Sequence, residues 1–569
     1  MISASMSFLQ TLTEAGVSVI FANLGSDHPA IVEAVAEANA TGRKVPDMIT
    51  APNEMVALSA AHGHVLVSGI PQAVFVHVEC GTQALAGAIH NAAKGRAPVI
   101  IFAGASPFTQ DGELPGSRNE FIQWIQDVHD QRGLVRGYMK YDAEFRTGRN
   151  IPQITRRALQ IALSEPKGPV YLMGAREVME EAVEPVAINP AHWQPVRPRA
   201  LSEMDADRIL DDLMAAERPL IVTSYVGRNA RAVAPLVELC EAMGIGVLES
   251  VPVAMNFATT HPLYQGNQWN HPRQNPALAS ADCILVVDSD VPWISAVSKP
   301  RDTALIHHID CDPLKRQMPL WYIPAVGSYE AEAEIALRQL VERLKLRTTN
   351  SDQVAHRTRH WSAMHAARRA ALDALEADQS VLTGEVVTAM LRPYIDQDTI
   401  VLSEGISHYH TIIDHLHLDQ PGSLHASGGG SLGWHGGAAI GAKLAAPNKT
   451  IIALTGDGSY MFSVPSSVHW MARRYDTPFL TVIYNNRGWK SPKLSTLAVH
   501  PSGYASRAND LNVAFDPAPD YAGIAAAAGG ALALQARTPD EFAEALKQAF
   551  AAVHTERRCA VIDAWLPHL

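Results

Sequence analysis

Short hydrophobic runs alternate along the whole chain with longer segments rich in alanine. Runs such as "VSVIFANLG", "QAVFVHVECG" and "TIIALTG" are β-branched, and each of them ends at a glycine or a turn. These features are typical of buried strands. Because the segments between the runs are long enough to form helices, the pattern predicts βαβ units and parallel sheets.

Three such blocks predict an α/β protein with three doubly wound parallel-sheet domains, because 569 residues are too many for one hydrophobic core. The proline-rich stretch 184–200 is interpreted as a linker and the polar stretch 346–380 as a partly helical connector. We therefore expect an N-terminal domain over 1–183, a central Rossmann-like domain over 201–345 and a C-terminal domain over 381–569.

Composition and charge argue against several classes of protein. The net charge is −12 and the pI about 6.0, whereas a nucleic-acid-binding protein normally has a basic face. The chain has no apolar run of about 18 residues, so we expect no membrane span, and its first residues do not resemble a secretory signal. The five cysteines are scattered and lack metal-binding spacing, which fits a reducing compartment. We expect a soluble cytoplasmic protein.

An aspartate stands where a phosphate-binding loop would be expected. The stretch "LTGDGSYMFS" (454–463) places Asp457 between two glycines after a strand, although a carboxylate repels phosphate. After 26 further residues, enough for one helix and one strand, "NN" ends the next strand with Asn486. Both motifs are therefore expected at neighbouring carboxyl ends of strands. Asp457, Asn486 and the Gly488 carbonyl could hold a magnesium ion that bridges the protein to a diphosphate.

This pair of motifs resembles the fingerprint of thiamine diphosphate-dependent enzymes of the acetolactate synthase and pyruvate decarboxylase superfamily. Three further segments are similar to that family, in the same order: "ITAPNEMVALSAAHGHVLVSG" (49–69), "VLSEGISHYH" (401–410) and "GGGSLGWHGGAAIGAKLAAP" (428–447). The resemblance covers nearly the whole chain. It implies an N-terminal pyrimidine-binding domain, a C-terminal diphosphate-binding domain, and thiamine diphosphate and Mg²⁺ as cofactors.

The resemblance also implies roles for individual residues. Glu54 matches the glutamate that hydrogen-bonds a pyrimidine nitrogen and so promotes proton removal from the thiazolium. Leu432 matches the apolar side chain that bends the cofactor. Two positions depart from the family pattern, since Asn53 replaces a histidine and Gly437 replaces a proline. The other cofactor contacts implied are Gly405, Ile406, Ser407, Gly430, Gly456, Gly458, Ser459, Asn486 and Gly488, with His408 as a further candidate.

The family binds its cofactor between the pyrimidine-binding domain of one subunit and the diphosphate-binding domain of another. Glu54 and Asp457 would therefore act in one site from different chains. This implies a homodimer or a homotetramer that acts on a small-molecule substrate.

Two segments of the N-terminal block resemble benzoylformate decarboxylase. The stretch 21–30 puts Ser26 near the substrate, and the stretch 75–87 puts His77 where that enzyme has a proton-handling imidazole and Gln83 near the cofactor. A single histidine at a strand end is otherwise more often structural. These segments imply a 2-oxo acid decarboxylase or an acetolactate synthase-like carboligase.

A third segment favours another branch of the family. The stretch "HDQRGLVRGYMK" (129–140) resembles oxalyl-CoA decarboxylase and 2-hydroxyacyl-CoA lyase. From the sequence we favour this branch, which reversibly forms an aldehyde or ketone and formyl-CoA. Its charged residues could equally be solvated. The substrate-side candidates are Asp127, Asp130, Gln131, Arg136, Lys140, Trp489, Lys490 and Lys493.

The central block leaves nucleotide binding open. The stretch "HHIDCDP" (307–313) is similar to a strand beside which some family members bind FAD and others ADP or CoA. Asp288 and Asp290 stand where flavin-binding members have an arginine, so FAD is not expected. Arg228 could meet a phosphate of ADP or CoA, or could simply lie at the surface.

A function of a different class is a protein of this fold that has lost catalysis and serves as a binding or regulatory subunit. The retained Glu54, Asp457 and Asn486 argue against it.

Overall fold

Three six-stranded parallel sheets form the frame of the computed structural model, within the described residues 1–270, 272–509 and 511–568. Helices connect the strands, and the α/β fold with three parallel-sheet domains is as predicted. A two-stranded antiparallel sheet adds to the N-terminal domain. No helix among the described residues is long and apolar enough to span a membrane.

The N-terminal domain contains one six-stranded sheet and the two-stranded sheet formed by its first and last strands. Its strands are β1 (Ile2–Ser3), β2 (Val19–Asn23), β3 (Asp47–Thr50), β4 (Ala73–Val76), β5 (Ile100–Ala105), β6 (Tyr141–Phe145), β7 (Val170–Ala175) and β8 (Ala182–Val183). Its helices are α1 (Ala4–Glu14), α2 (Pro29–Thr41), α3 (Glu54–Ser68), α4 (Val78–Ala84), α5 (Ala86–Lys94), α6 (Ile122–Ile125), α7 (Ile151–Leu163) and α8 (Arg176–Met179). The order β3-β2-β4-β5-β7-β6 brings the carboxyl ends of β2 and β4 together.

The central sheet has the order β11-β10-β9-β12-β13-β14. These strands are β9 (Pro219–Thr223), β10 (Gly246–Ser250), β11 (Tyr264–Gln268), β12 (Cys283–Val287), β13 (Leu305–Asp310) and β14 (Gly327–Glu330). The helices of this region are α9 (Glu203–Ala215), α10 (Val233–Met243), α11 (Pro276–Ser280) and α12 (Ala333–Leu344). The polar connector forms one long helix, α13 (Ser351–Ala377), capped by Asn350, whose side chain accepts from Asp352 N.

The C-terminal sheet has the order β16-β15-β17-β18-β20-β19. These strands are β15 (Thr399–Glu404), β16 (Leu424–Ala426), β17 (Thr450–Gly456), β18 (Leu480–Asn485), β19 (Leu532–Ala536) and β20 (Ala560–Trp565). Its helices are α14 (Gly384–Leu391), α15 (Tyr409–Leu416), α16 (Trp434–Ala445), α17 (Asp457–Phe462), α18 (Pro465–Arg474), α19 (Lys490–Val499), α20 (Tyr504–Ala508), α21 (Tyr521–Gly529) and α22 (Pro539–His554). All six strands are parallel, so their carboxyl ends lie at the edge that carries Asp457.

Helices α3 and α16 join the N- and C-terminal domains through direct backbone contact. A Cβ added to Gly441 would lie 1.8 Å from Ala60 O, and one added to Gly437 would lie 2.7 Å from Val56 O. The small residues of both helices are thus required by packing. Gly437, which departs from the family pattern, is one of these contact points.

We expect Gly441→Ala to destabilise the protein by about 1–3 kcal/mol, because the new methyl group overpacks a backbone contact. Thermal unfolding measures this. Gly137→Ala is the matched control, since a Cβ at Gly137 has no atom within 4 Å. An equal midpoint of unfolding for both variants would contradict the interpretation.

Candidate active site

The carboxylate of Asp457 is buried at the carboxyl end of β17, where α17 begins. Its Oδ1 accepts from Gly458 N at 2.9 Å and its Oδ2 from Gly488 N at 2.8 Å. Only 3% of the residue is exposed, and burial raises the pKa of its carboxyl to about 6. A negative charge here is costly unless a cation lies beside it.

Asn486 follows the neighbouring strand β18, which pairs with β17 in parallel. Its Oδ1 is buried and has no hydrogen-bond partner among the described residues. The preceding Asn485 is instead bound to Asp563, at 2.8 Å. A buried oxygen without a partner beside a buried carboxylate fits a hard cation such as Mg²⁺. The Gly488 carbonyl as a third ligand stays a prediction.

Two predicted cofactor segments are held together by the carboxylate of Glu404. This residue ends β15 and is 1% exposed. It accepts hydrogen bonds from Gly433 N at 2.7 Å, Trp434 N at 3.1 Å and His435 N at 2.9 Å. Glu404 therefore binds the first amides of α16. The segment 405–407 and the segment 428–432, which includes Gly430 and Leu432, lie side by side at this edge.

The segment 405–408 turns sharply. Ile406 adopts a left-handed conformation with φ of 43°, which is uncommon for a β-branched residue. His408 is buried, and burial lowers the pKa of its imidazole to about 3, so the ring is neutral. Gly405 and Ser407 lie on either side of Ile406.

Trp489 covers the "GDG" motif. A Cβ at Gly458 would lie 2.2 Å from the Trp489 ring, so glycine is required at that position. The ring also packs against Phe462 and Phe515, with centroids 5.9 and 5.0 Å away. Lys490 begins α19 and is close enough to His408 to lower the pKa of that imidazole further.

Glu54 begins α3 at the carboxyl edge of the N-terminal sheet. Asn53 caps the helix by accepting from Val56 N at 3.1 Å. The Glu54 carboxylate is half-buried and accepts from Asn23 Nδ2 at 2.9 Å. A Cβ added to Gly81 on α4 would lie 3.2 Å from it. One carboxylate oxygen thus has a protein partner, and the group lies beside α4.

His77 is held between two acceptors at the end of β4. Its Nδ1 hydrogen-bonds to Asp27 Oδ1, and its Nε2 to Gln126 Oε1 at 3.0 Å. The hydrogen bond to Asp27 raises the pKa of the His77 imidazole. The arrangement favours an imidazolium that carries a proton at the carboxyl edge of the sheet.

Asp27 is 4% exposed and also accepts from Val78 N at 3.1 Å. Burial opposes its charge, but His28 and His77 lower the pKa of its carboxyl. Sequence reasoning singled out neither Asp27 nor Gln126. The stretch that suggested Ser26 also contains Asp27, and this adjacency was the available signal.

Ser26 lies next to this pair in the chain, and its Oγ is buried without a hydrogen-bond partner among the described residues. A Cβ at Gly25 would lie 1.9 Å from His77 Nδ1, so the imidazole packs directly on this loop. The loop that carries Ser26 therefore lies against His77, and the hydrogen-bonding capacity of the Ser26 hydroxyl is unused.

The substrate-side candidates in the N-terminal domain have structural partners. Gln131 donates to Gly104 O at 2.8 Å, and Lys140 donates at 2.7 Å to the carbonyl of Ile161, a residue of α7. Asp127 pairs with Arg118 at 2.5 Å. Asp130 and Arg136 form an exposed pair at 2.9 Å.

Gln83 donates to the Glu79 carboxylate and is exposed. Together with Gly430 and Ser431 it lines a cleft of about 750 Å³ between the N- and C-terminal domains. The cleft has the size of a ligand site.

The carboxyl edge of the central sheet carries several of the protein's own charges in ion pairs. Arg96, from the N-terminal domain, donates to both Asp290 and Asp310 at 3.2 Å. Lys315 contacts the same two carboxylates at 2.8 and 2.6 Å. Arg228 stacks on Tyr225 at 5.5 Å. In open α/β sheets this edge is where a nucleotide would bind.

Three family models of thiamine pyrophosphate enzymes match the chain in order: the N-terminal TPP binding domain over residues 2–134, the central domain over 206–318 and the C-terminal TPP binding domain over 406–564. Together they cover most of the chain. The chain belongs to the thiamine pyrophosphate enzyme family. It is a thiamine diphosphate-dependent enzyme of the acetolactate synthase and benzoylformate decarboxylase type.

Relatives and solved structures agree with this family. A benzoylformate decarboxylase of Pseudomonas aeruginosa is 24% identical over 95% of the chain and 96% of that protein. An acetolactate synthase large subunit of Lactococcus lactis is 24% identical over 81% of the chain and 77% of that protein. The 4-hydroxybenzoylformate decarboxylase of Rhodococcus jostii has a TM-score of 0.78 at 20% identity, over 100% of the chain and 99% of that one. At 20% identity, this similarity to a solved structure shows the fold alone.

We expect Asp27→Asn to shift the pH dependence of decarboxylation. Asp27 raises the pKa of His77, so the imidazolium of the wild type persists to higher pH. Without the carboxylate the alkaline loss of kcat/KM should begin at a lower pH. Asp47→Asn, at an exposed aspartate of the same domain, is the control. An alkaline limb unchanged by Asp27→Asn would refute this role.

Proposed function

We propose that the protein is a thiamine diphosphate- and Mg²⁺-dependent decarboxylase of 2-oxo acids. The observation that carries this proposal is the hydrogen bond between the buried Asp27 and the half-buried His77, with the unpartnered hydroxyl of Ser26 next to Asp27 in the chain. A protonated imidazole and a hydroxyl donor suit an anionic 2-oxo acid. The benzoylformate decarboxylase relative, matched along almost its whole length, supports the same reaction class.

In this proposal Asp457, Asn486 and Gly488 hold the metal, and amides of the 405–407 and 456–459 segments bind the diphosphate. When bound, thiamine diphosphate would supply a nucleophilic carbon and an electron sink for the carbon–carbon bond that breaks as CO₂ leaves. Glu54 holds a proton at the pyrimidine. Ser26 binds the substrate carboxylate, and His77 delivers or removes a proton beside it, with Asp27 keeping the ring oriented.

The 2-hydroxyacyl-CoA lyase function that the sequence favoured receives no support from these contacts. Gln131 and Lys140 are engaged in packing within their own domain. At the carboxyl edge of the central sheet, Arg96 and Lys315 are paired with the protein's own acids. Carboligation, as in the acetolactate synthase relatives, is the second candidate, because the same site could pass its product to an aldehyde acceptor.

We also propose that two copies of the chain share each site. The proposal rests on the family resemblance, which assigns Glu54 and Asp457 of one site to different subunits. Thr50 N donates to the Tyr475 hydroxyl at 2.7 Å. Tyr475 precedes β18, whereas Asp457 and Asn486 lie at the other end of the sheet, about 20 Å away for a six-residue strand. A second chain would supply the missing half.

A product assay tests the reaction. With thiamine diphosphate and Mg²⁺, we expect CO₂ and an aldehyde from aromatic or branched 2-oxo acids. Glu54→Gln should lower kcat by about two to four orders of magnitude, whereas Glu33→Gln, at an exposed position of α2, should not. Formyl-CoA from a 2-hydroxyacyl-CoA, with no CO₂ from any 2-oxo acid, would overturn the proposal.

A complementation assay tests the shared site. Glu54→Gln and Asp457→Asn should each be inactive alone. Coexpressed with different tags, the purified mixed dimer should regain activity, because one of its two sites then contains neither substitution. If both residues acted within one chain, the mixed dimer would stay inactive.

A further inference from the structure

The side-chain amide of Asn91, in the N-terminal domain, binds both the backbone N–H and the backbone carbonyl of one residue in the C-terminal domain. Its Nδ2 donates to Ser431 O at 2.8 Å, and its Oδ1 accepts from Ser431 N at 3.1 Å. The side chain is 1% exposed. An amide is the side-chain group of this size that offers one donor and one acceptor to a single peptide segment.

The backbone of α5 approaches this segment closely along its length. A Cβ at Gly87 would lie 2.0 Å from Ser431 Oγ, one at Gly429 would lie 2.4 Å from Asn91 Oδ1, and one at Gly95 would lie 2.5 Å from Ser427 O. Glycine is needed at each of these positions. The segment 427–431 is therefore fixed against α5 over about two turns of helix.

The fixed segment belongs to the edge that carries the metal site. It follows β16, whose neighbour β15 leads to the segment 405–407. It also leads directly into α16, whose first three amides bind Glu404 at the end of β15. A shift at Ser431 would thus move Leu432 and the start of α16 relative to the segment 405–407.

We propose that Asn91 is a positioning residue for thiamine diphosphate binding: it fixes Ser431, and through it Leu432, in the geometry that the cofactor requires. The inference rests on the cofactor site proposed above. Asn91 touches no reacting atom. Its effect is preorganisation, because a segment that is already ordered loses less entropy when the ligand binds.

The first test compares two alanine substitutions of buried asparagines. Asn256 is the matched control, since it is 0% exposed, accepts from Gly227 N at 2.8 Å and donates to Ala254 O at 3.0 Å within the central domain. Asn91→Ala should raise the Kd for thiamine diphosphate by about ten-fold to a hundred-fold, the effect of losing buried hydrogen bonds. Asn256→Ala should lower the unfolding temperature without changing the Kd. Calorimetric titration of the full-length protein at saturating Mg²⁺ gives the Kd of each variant, and thermal unfolding gives the unfolding temperature.

The second test keeps Asn91 and disturbs its target. Gly87→Ala should weaken cofactor binding by pushing Ser431 away. Ser431→Ala should keep both bonds to Asn91, because they use backbone atoms. The variant with both Gly87→Ala and Ser431→Ala should recover much of the affinity for thiamine diphosphate that Gly87→Ala loses. The Ser431 Oγ, which a Cβ at Gly87 would meet at 2.0 Å, is then absent, and the next atom is the Ser431 Cβ at 3.2 Å.

Three outcomes overturn the inference: wild-type affinity in Asn91→Ala, equal losses in Asn91→Ala and Asn256→Ala, or no recovery in the double variant. Failure of the proposed cofactor site is distinguishable, because the wild type itself would then not bind thiamine diphosphate.

Discussion

The buried carboxylate of Asp457 is the constraint on which the functional edge depends. Two backbone amides hold it in place, yet they do not compensate for burial, since the pKa of the carboxyl is raised to about 6. The unpartnered Asn486 oxygen lies on the adjacent strand. A divalent cation would satisfy both groups and would present a positive charge to a diphosphate. The acid is therefore compatible with phosphate binding only through a metal.

The position of this edge relative to the N-terminal domain is set by backbone contacts. Glycines in α3 and α16 bring the two helices together, and α5 holds the segment that precedes α16. Contacts of this kind leave little freedom, because packed interiors do not deform continuously. Residues that have no side chain thus determine where Leu432 and the first turn of α16 lie.

Much of the fold and the positions of the candidate metal ligands along the sheet could be predicted from the sequence. Asp457 and Asn486 each follow a β-branched run, and parallel topology brings such strand ends together. The Asp27–His77–Gln126 group could not be found in this way, because its members are about 50 residues apart and meet through loop conformation. The stretch with Gln131 and Lys140 suggested a CoA substrate. Their acceptors in the structure, Gly104 O and Ile161 O, belong to distant parts of the chain and cannot be recognised from the local sequence. The partners of Arg96 could not be predicted either, because this residue of the N-terminal domain binds carboxylates of the central domain.

Titration of the metal-free protein with thiamine diphosphate, in the presence of Mg²⁺ or of a chelator, tests the account most directly. Wild-type protein should bind the cofactor tightly only with Mg²⁺, and Asp457→Asn should bind it weakly under both conditions. Tight binding by the wild type in the presence of the chelator, or unchanged Mg²⁺-dependent binding by Asp457→Asn, would contradict a metal-bridged diphosphate at this edge.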